Sequence, residues 1–369
     1  MVIFMFILIA AIFVNIQAAG KNELYSDYCS PKQTTAINGI FVVLVFFTHA
    51  AQYLKLSDPL TKPYMSLKGY MAQLVVVTFL FYSGYGMTES IKKKGMDYVK
   101  SIPTKRLFRI WYHFAIAVSL FVIWNLIFGK EYPISKTLLA FTGWSSIGNS
   151  DWYMLTTFVI YIFMFISFMI FRKSKLAAVI LTSVLCFAFI LFQRKMGRPG
   201  YCYNTMMCFP AGMFFSLIKP YFDKLFLKND VIWALGLGAS FGLFCYFGTL
   251  RSVSVIFYTL WALFAAALVL FITMKVKIQN SILDWFGRHV FSIYILQRLP
   301  MNTLSRFGLN KSHPYAFVII CFVSTIIMAI LFDSLMEKTD SLIYNRRKKV
   351  KAEEPAASEK QTASASEQA

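Results

Sequence analysis

Long apolar runs, separated by short polar or basic loops, recur along almost the whole chain. Runs able to cross about 30 Å of hydrocarbon, at about 20 residues each, lie near 2–19, 36–54, 70–88, 110–128, 153–171, 176–192, 203–218, 231–248, 253–273, 289–304 and 315–335. The pattern predicts an all-α integral membrane protein, a bundle of about 10–11 transmembrane helices. The run at 203–218 is short and holds Pro210, so a broken or tilted helix is expected there. No internal repeat and no Gly-rich nucleotide loop interrupts the pattern, and no loop before the tail is long enough for a separate domain.

The two ends of the chain read differently from its middle. Residues 1–19 are expected to form an extra N-terminal transmembrane helix with its N-terminus outside. They lack a basic leader, but Ile16-Gln17-Ala18 could pass for a small-residue cleavage site, so a signal-like segment is the alternative. The membrane domain then spans 34–335. From Asn345 the chain turns basic through Arg346, Arg347, Lys348 and Lys349 and then becomes low in complexity, so 345–369 is expected to be a disordered cytoplasmic tail.

Composition agrees with lipid as the solvent: 58% of the 369 residues are apolar, 18% aromatic and only 15% charged. The net charge of +20 lies in short clusters between apolar runs, without the stripe that marks a nucleic-acid surface; the partner it implies is anionic lipid. Of the 37 Lys and Arg, 25 fall in one alternate set of loops and 12 elsewhere, which puts the 91–109 loop and the C-terminus in the cytoplasm of a multi-pass protein. The six cysteines are scattered without metal-ligand spacing and read as apolar packing residues, with Cys202 and Cys208 weighed as a disulfide only in an oxidising compartment.

Polar residues inside lipid-depth runs are expensive and therefore informative. Asn38 and His49 share the second run. Eleven residues apart, they return to within about 20° of one helical face and stand about 16 Å apart along it. An imidazole with an ordinary pKa of about 6.5 is neutral near pH 7 and can accept a proton, which suits His49 to general-base work; the competing reading is a hydrogen-bonded packing histidine. Arg106 and Arg109, at i and i+3 after a basic loop, could grip a phosphate bidentately from one side, as a coenzyme A site requires, or could simply set topology.

Several motifs then occur in a particular order: His49 in an early helix, Phe81-Tyr82-Ser83-Gly84-Tyr85-Gly86, Arg106-Leu107-Phe108-Arg109, Asp151-Trp152-Tyr153-Met154-Leu155, and Phe286-Gly287-Arg288-His289-Val290-Phe291-Ser292-Ile293-Tyr294. Over about residues 34–335 this order resembles the acyltransferase-3 family of membrane-bound O-acyltransferases. The resemblance implies that His49 is the catalytic histidine and that the Arg106/Arg109 pair handles the acyl donor. Asn38 stands where the family has an Arg, Thr156 and Thr157 where it often has a Glu, and Gln297 where a His often ends the last motif, which points to a divergent subgroup.

The resemblance further implies an enzyme that transfers an acyl group other than an amino-acyl group, acetyl being the expected one, from acyl-CoA to a hydroxyl of a cell-envelope glycan or lipid-linked sugar. This would be polysaccharide modification at a bacterial cytoplasmic membrane. Acyl-CoA, acetyl-CoA above all, would be a co-substrate; no permanently bound cofactor and no metal are expected. Tyr82, Ser83 and Arg288 are further candidates for the donor site, against helix packing for Ser83-Gly84 and plain anchoring for Arg288. Asn38, Asp151 and Trp152 are candidates for the acceptor, against an N-cap role for Asp151 and an interfacial-belt role for Trp152. A transporter or flippase of a lipid-linked or anionic solute is the alternative, because a polar line through a bundle also suits permeation. The charge count predicts that a cysteine placed at Ser135 is labelled from outside the cell and one at Lys94 is not; the reverse pattern would invert the topology.

Overall fold

The computed structural model describes residues 3–55, 64–71, 73–278 and 280–344 in full, so the tail expected at 345–369 lies outside the described residues. The first helices are α1 (Val2–Phe13), α2 (Pro31–Ala50), the short α3 (Lys62–Met71), α4 (Leu74–Ile102) and α5 (Arg109–Ile127). A small α6 (Ile134–Ala140) precedes α7 (Trp152–Ile170), α8 (Lys175–Lys195), α9 (Cys208–Phe226), α10 (Asp230–Leu250) and α11 (Val255–Lys275). Three short pieces follow, α12 (Ser281–Arg288), α13 (Val290–Leu296) and α14 (Arg298–Arg306), then α15 (Leu309–Ser312) and α16, described over Pro314–Tyr344.

Eight of the eleven predicted runs fall in the seven helical stretches long and apolar enough to cross a membrane, the longest of which, Tyr64–Ile127, holds two of them. The protein is therefore an all-α, multi-pass membrane protein. The other three runs depart from the expectation for separate reasons. The helix within 1–19 has 12 residues, about 18 Å at 1.5 Å per residue, short of a 30 Å core. Its continuation Ile16–Ala18 (β1) pairs antiparallel with Val276–Ile278 (β2), Ile16 opposite Ile278. The 203–218 run begins its helix only at Cys208 and continues through Pro220 to Phe226, gaining Lys219, Asp223 and Lys224. The 289–304 run is broken: His289 leaves helical geometry between α12 and α13, and Pro300 in α14 lacks the N–H that would bond back to Leu296.

Two backbone-on-backbone crossings set the bundle. Between α2 and α12, a Cβ on Gly39 would collide with the Leu283 carbonyl and one on Gly287 with the Thr35 carbonyl. Between α4 and α9 the arrangement repeats, Gly84 against the Phe209 carbonyl and Gly212 against the Phe81 carbonyl. Without a hydrophobic drive between helices in lipid, such small-residue contacts are the chief source of close packing. Below its crossing α4 turns at Gly95, whose φ of 60° only glycine adopts cheaply, and a π-helical turn over Pro103–Phe108 leads into α5.

The crossings generate a test with an internal control. Gly84→Val and Gly212→Val should each lower the melting temperature of the purified protein, by an overpacking cost of about 1–3 kcal/mol. Gly86→Ala should be silent, because its Cβ would meet open space. Equal melting temperatures for all three variants would remove the crossings as a determinant.

Candidate active site

The last turn of α2 delivers His49 to a cavity of about 380 Å³. Gln73 contributes from just before α4, Asp151 and Trp152 from the start of α7, Tyr294 from α13 and Arg298 from the start of α14. The break in the 281–306 segment is what brings both Tyr294 and Arg298 to the His49 level; the rings of His49 and Tyr294 lie 6.1 Å apart. Arg298 is held by Gln52 Oε1 at 3.0 Å and by the Tyr53 hydroxyl at 3.4 Å, and Tyr53 in turn donates to Asn302 Oδ1 at 2.7 Å. Buried Gln297 lies beside the imidazole.

Several polar atoms around this cavity are sealed from solvent without a well-formed hydrogen bond among the described residues: His49 Nδ1 and Gln297 Oε1, which face each other, Ser150 Oγ and Tyr294 OH, which do likewise, and Gln73 Oε1 and Arg298 Nε. Each such group costs roughly 1–3 kcal/mol relative to a bonded one, so their concentration is a feature that packing alone does not favour. Asp151 occupies the N-cap position of α7 but its side chain makes no capping bond, contrary to the reading of Asp151 as a cap, and it lines the cavity instead. Its carboxyl, just outside the helix, is raised above the usual carboxylate range by burial, against the pull of the Trp152 backbone amide and the Arg198 and Arg298 charges.

The opposite end of the bundle carries the basic loop. Tyr82 and Ser83 are consecutive and so point about 100° apart on α4. Tyr82 lines a second cavity of about 460 Å³, together with Cys29, Thr34, Glu89, Lys93 and Lys219. Ser83 shares a 2.8 Å hydrogen bond with Tyr161 on α7, and the Arg106 charge is felt at that tyrosine. The expected Arg106/Arg109 fork is divided: Arg109 pairs with Asp340 on α16, which also accepts from Tyr112 and contacts His113, whereas exposed Arg106 has no ion pair among the described residues. Arg288 is exposed and pairs with Asp284 at 3.3 Å. Asn38 lines neither cavity, but its Oδ1 is buried without a partner, as are Thr78 Oγ1 and Tyr82 OH on the facing helix.

The family model described as an acyltransferase domain, acyltransferase type 3, matches residues 35–333, most of the chain. This protein belongs to the acyltransferase-3 family. No curated protein and no solved structure matches the chain. As an acyltransferase it has two polar cavities along α2 and α4, one around His49 at the end of α2 and the start of α4, the other around Tyr82 at the start of α2.

Of the residues singled out in sequence, His49, Asp151 and Trp152 converge on one cavity, and Tyr82 alone of the donor-side candidates lines the other. Sequence reasoning missed Tyr294, Gln73 and Arg298 as members of the site. Arg298 carried a signal, an ionisable residue inside an apolar run, that was absorbed into the topology count. Tyr294 closes the last motif of the resemblance without a role of its own there, and Gln73 carries no signal beyond its neighbourhood.

The buried carboxyl of this acyltransferase gives a pH test. A carboxyl raised in the folded state penalises folding only once it ionises, so the penalty is absent below the ordinary carboxylate pKa of about 3.9 and complete above the raised one. The melting temperature of the wild type relative to Asp151→Asn should therefore fall as pH rises from about 4 to 7. A difference that stays flat or grows with pH would show Asp151 to be ordinarily ionised.

Proposed function

We propose that this acyltransferase moves an acyl group, acetyl in the first instance, from cytoplasmic acyl-CoA to a hydroxyl of a cell-envelope glycan or lipid-linked sugar, in a bacterial cytoplasmic membrane with the C-terminus in the cytoplasm. The orientation rests on the charge asymmetry of the loops. The observation that carries the reading is the sealed Nδ1 of His49, without a well-formed hydrogen bond, in a cavity that also holds Asp151 and Arg298.

In the reaction, neutral His49 accepts the proton of the acceptor hydroxyl as that oxygen attacks the thioester carbonyl carbon. The carbonyl oxygen becomes an oxyanion, for which the Arg298 and Tyr294 side chains lining the cavity serve as the donors. Collapse breaks the C–S bond; the thiolate leaves and takes the proton from the imidazolium, giving an ester and free coenzyme A. Asp151 and Trp152 orient the acceptor, the carboxylate through its hydroxyls and the indole through a sugar face. Transfer is direct in this sequence; Thr48, Asp151, Tyr201 and Tyr294 also line the cavity, and a covalent acyl intermediate on one of them is the two-step alternative.

The donor enters from the opposite end. Arg106, exposed and without a counter-ion among the described residues, serves the coenzyme A phosphates, joined by Arg109 when it leaves Asp340, with Arg288 a further basic contact at that end. The thioester arm passes by Tyr82 and Ser83 toward His49. Asn38 Oδ1, Thr78 Oγ1 and Tyr82 OH, unpartnered between the two cavities, offer it hydrogen bonds along the way, which assigns Asn38 to the path between the cavities.

His49→Gln keeps a similar size and hydrogen-bonding capacity but cannot act as a base near neutral pH. It should leave expression and acyl-CoA binding near wild type and lower transfer by about 10²- to 10⁴-fold, the usual contribution of general acid–base catalysis. Transfer retained near the wild-type rate would make His49 a packing residue and remove this mechanism.

A further inference from the structure

A third cavity, of about 300 Å³, opens where α5 ends, at the same end of the bundle as His49. Its inner wall is Val122 and Leu126 of α5, the latter 76% exposed, and beside it α6 presents Ile134 at 79% and Leu138 at 64% exposure. In a membrane protein such a surface faces acyl or isoprenoid chains. The rim is charged and aromatic: Lys130 and Lys136 both stand over the Tyr132 ring, at 5.5 and 4.7 Å, with Glu131 next to them. The floor holds Asn125, 96% buried by its 4% exposure, whose Nδ2 donates to the Ile147 carbonyl at 2.9 Å while its Oδ1 has no partner among the described residues. A cavity with a lipid-facing wall, cations at the rim and a buried acceptor at the floor fits a ligand with a hydrophobic chain, an anionic phosphate and a hydroxyl.

This cavity backs onto the His49 site. Ile147 lines the one and Asp151 the other, four residues apart, at most about 14 Å of chain. The wall between them is fixed on both sides, by Asn125 on Ile147 and by Asn302 Nδ2 on the Gly148 carbonyl at 3.2 Å. Asn302 is also the partner of Tyr53, which holds Arg298. We infer that the α5 cavity seats the phosphate head of a lipid-linked acceptor, its chain along α5 and α6 and its sugar carried over the 147–151 wall to His49. The inference rests on the proposed transfer to a hydroxyl and narrows its acceptor to the lipid-linked form. Lys130 and Lys136 meet the phosphate and Asn125 Oδ1 accepts from a hydroxyl of the head; Glu131 lines the same cavity and disfavours a second negative group.

The test uses full-length protein in phosphatidylcholine vesicles and a photoreactive sugar linked through phosphate to an isoprenoid chain, with the labelled segment mapped by peptide mass spectrometry. Labelling is expected within 122–137, at least about tenfold weaker in Lys130→Glu and in Asn125→Leu. Lys130 is exposed, so its variant folds whatever becomes of Asn125→Leu. An unlabelled isoprenoid-linked sugar phosphate should compete, and phosphatidylglycerol at the same concentration should not. Labelling elsewhere, equal competition by phosphatidylglycerol, equal competition by the free sugar phosphate, or labelling unchanged in Lys130→Glu would each overturn the assignment. None of these readouts needs turnover. A wild type that labels here but consumes no acyl-CoA would instead sink the proposed function.

Discussion

Close contact between helix backbones at two glycine pairs is the constraint on which the rest of this molecule depends. In lipid, apolar side chains gain little by leaving one hydrocarbon environment for another, so shape and backbone proximity decide which helices meet. Gly39 with Gly287 ties α2 to α12, and Gly84 with Gly212 ties α4 to α9. The first pair fixes the start of the broken 281–306 segment against α2, and the breaks at His289 and Pro300 then turn the chain so that Tyr294 and Arg298 meet His49. The second pair holds α4 where Gln73 and Val76 close one cavity and Tyr82 lines the other.

With that frame in place, the polar groups divide into two kinds. Some are paired in the fold: Asp340 gathers Arg109, Tyr112 and His113, and Asp333 bonds His289 and Ser292, together joining α16 to α5 and to the α12–α13 break. Others hold buried atoms without a well-formed hydrogen bond among the described residues: Asn38, His49, Thr78, Tyr82, Tyr294, Gln297 and Arg298 lie on α2, α4, α13 and around residue 298, while Asn125, Ser167, Gln193, Trp261 and Asn310 lie elsewhere in the bundle. A fold under pressure only for stability would lose them, since replacing an unsatisfied polar group by an apolar one of the same shape is close to neutral or favourable. The subset on α2 and α4, Asn38, His49, Thr78 and Tyr82, is the one on which the proposed path of a polar substrate rests.

Much of this was legible in the sequence, and the misses have identifiable causes. Long apolar runs located the crossing helices because hydrocarbon thickness sets their minimum length, but α4 runs on to Ile102 and α16 to at least Tyr344, well past the apolar runs at 70–88 and 315–335. The failures lie where length and hydropathy stop deciding: the 12-residue α1, the Pro220-containing α9 with its three charges, and the segment broken at His289 and Pro300. His49 and Asp151 stood out as polar groups at or beside lipid depth, and they meet. Arg106 and Arg109 looked like a pair because i and i+3 share a helical face, but a π-helical turn ends just before Arg109 and Asp340, 231 residues later, takes one of them. No local pattern announces a partner that distant. For Asp151 the cap role, weighed against its candidacy for the acceptor because helix starts favour aspartate, fails: its side chain makes no capping bond and lines the cavity with Arg298.

Chemistry at one end of the bundle fed by a donor from the other is the central claim, and sidedness tests it most directly. Sealed vesicles carrying the protein in one known orientation would receive isotopically labelled acetyl-CoA on the side of the basic 91–109 loop and a hydroxyl acceptor only on the His49 side. Labelled ester on the His49 side, with coenzyme A released on the donor side, is the expected result. Ester formed only when donor and acceptor share one side, with none across the membrane, would contradict it.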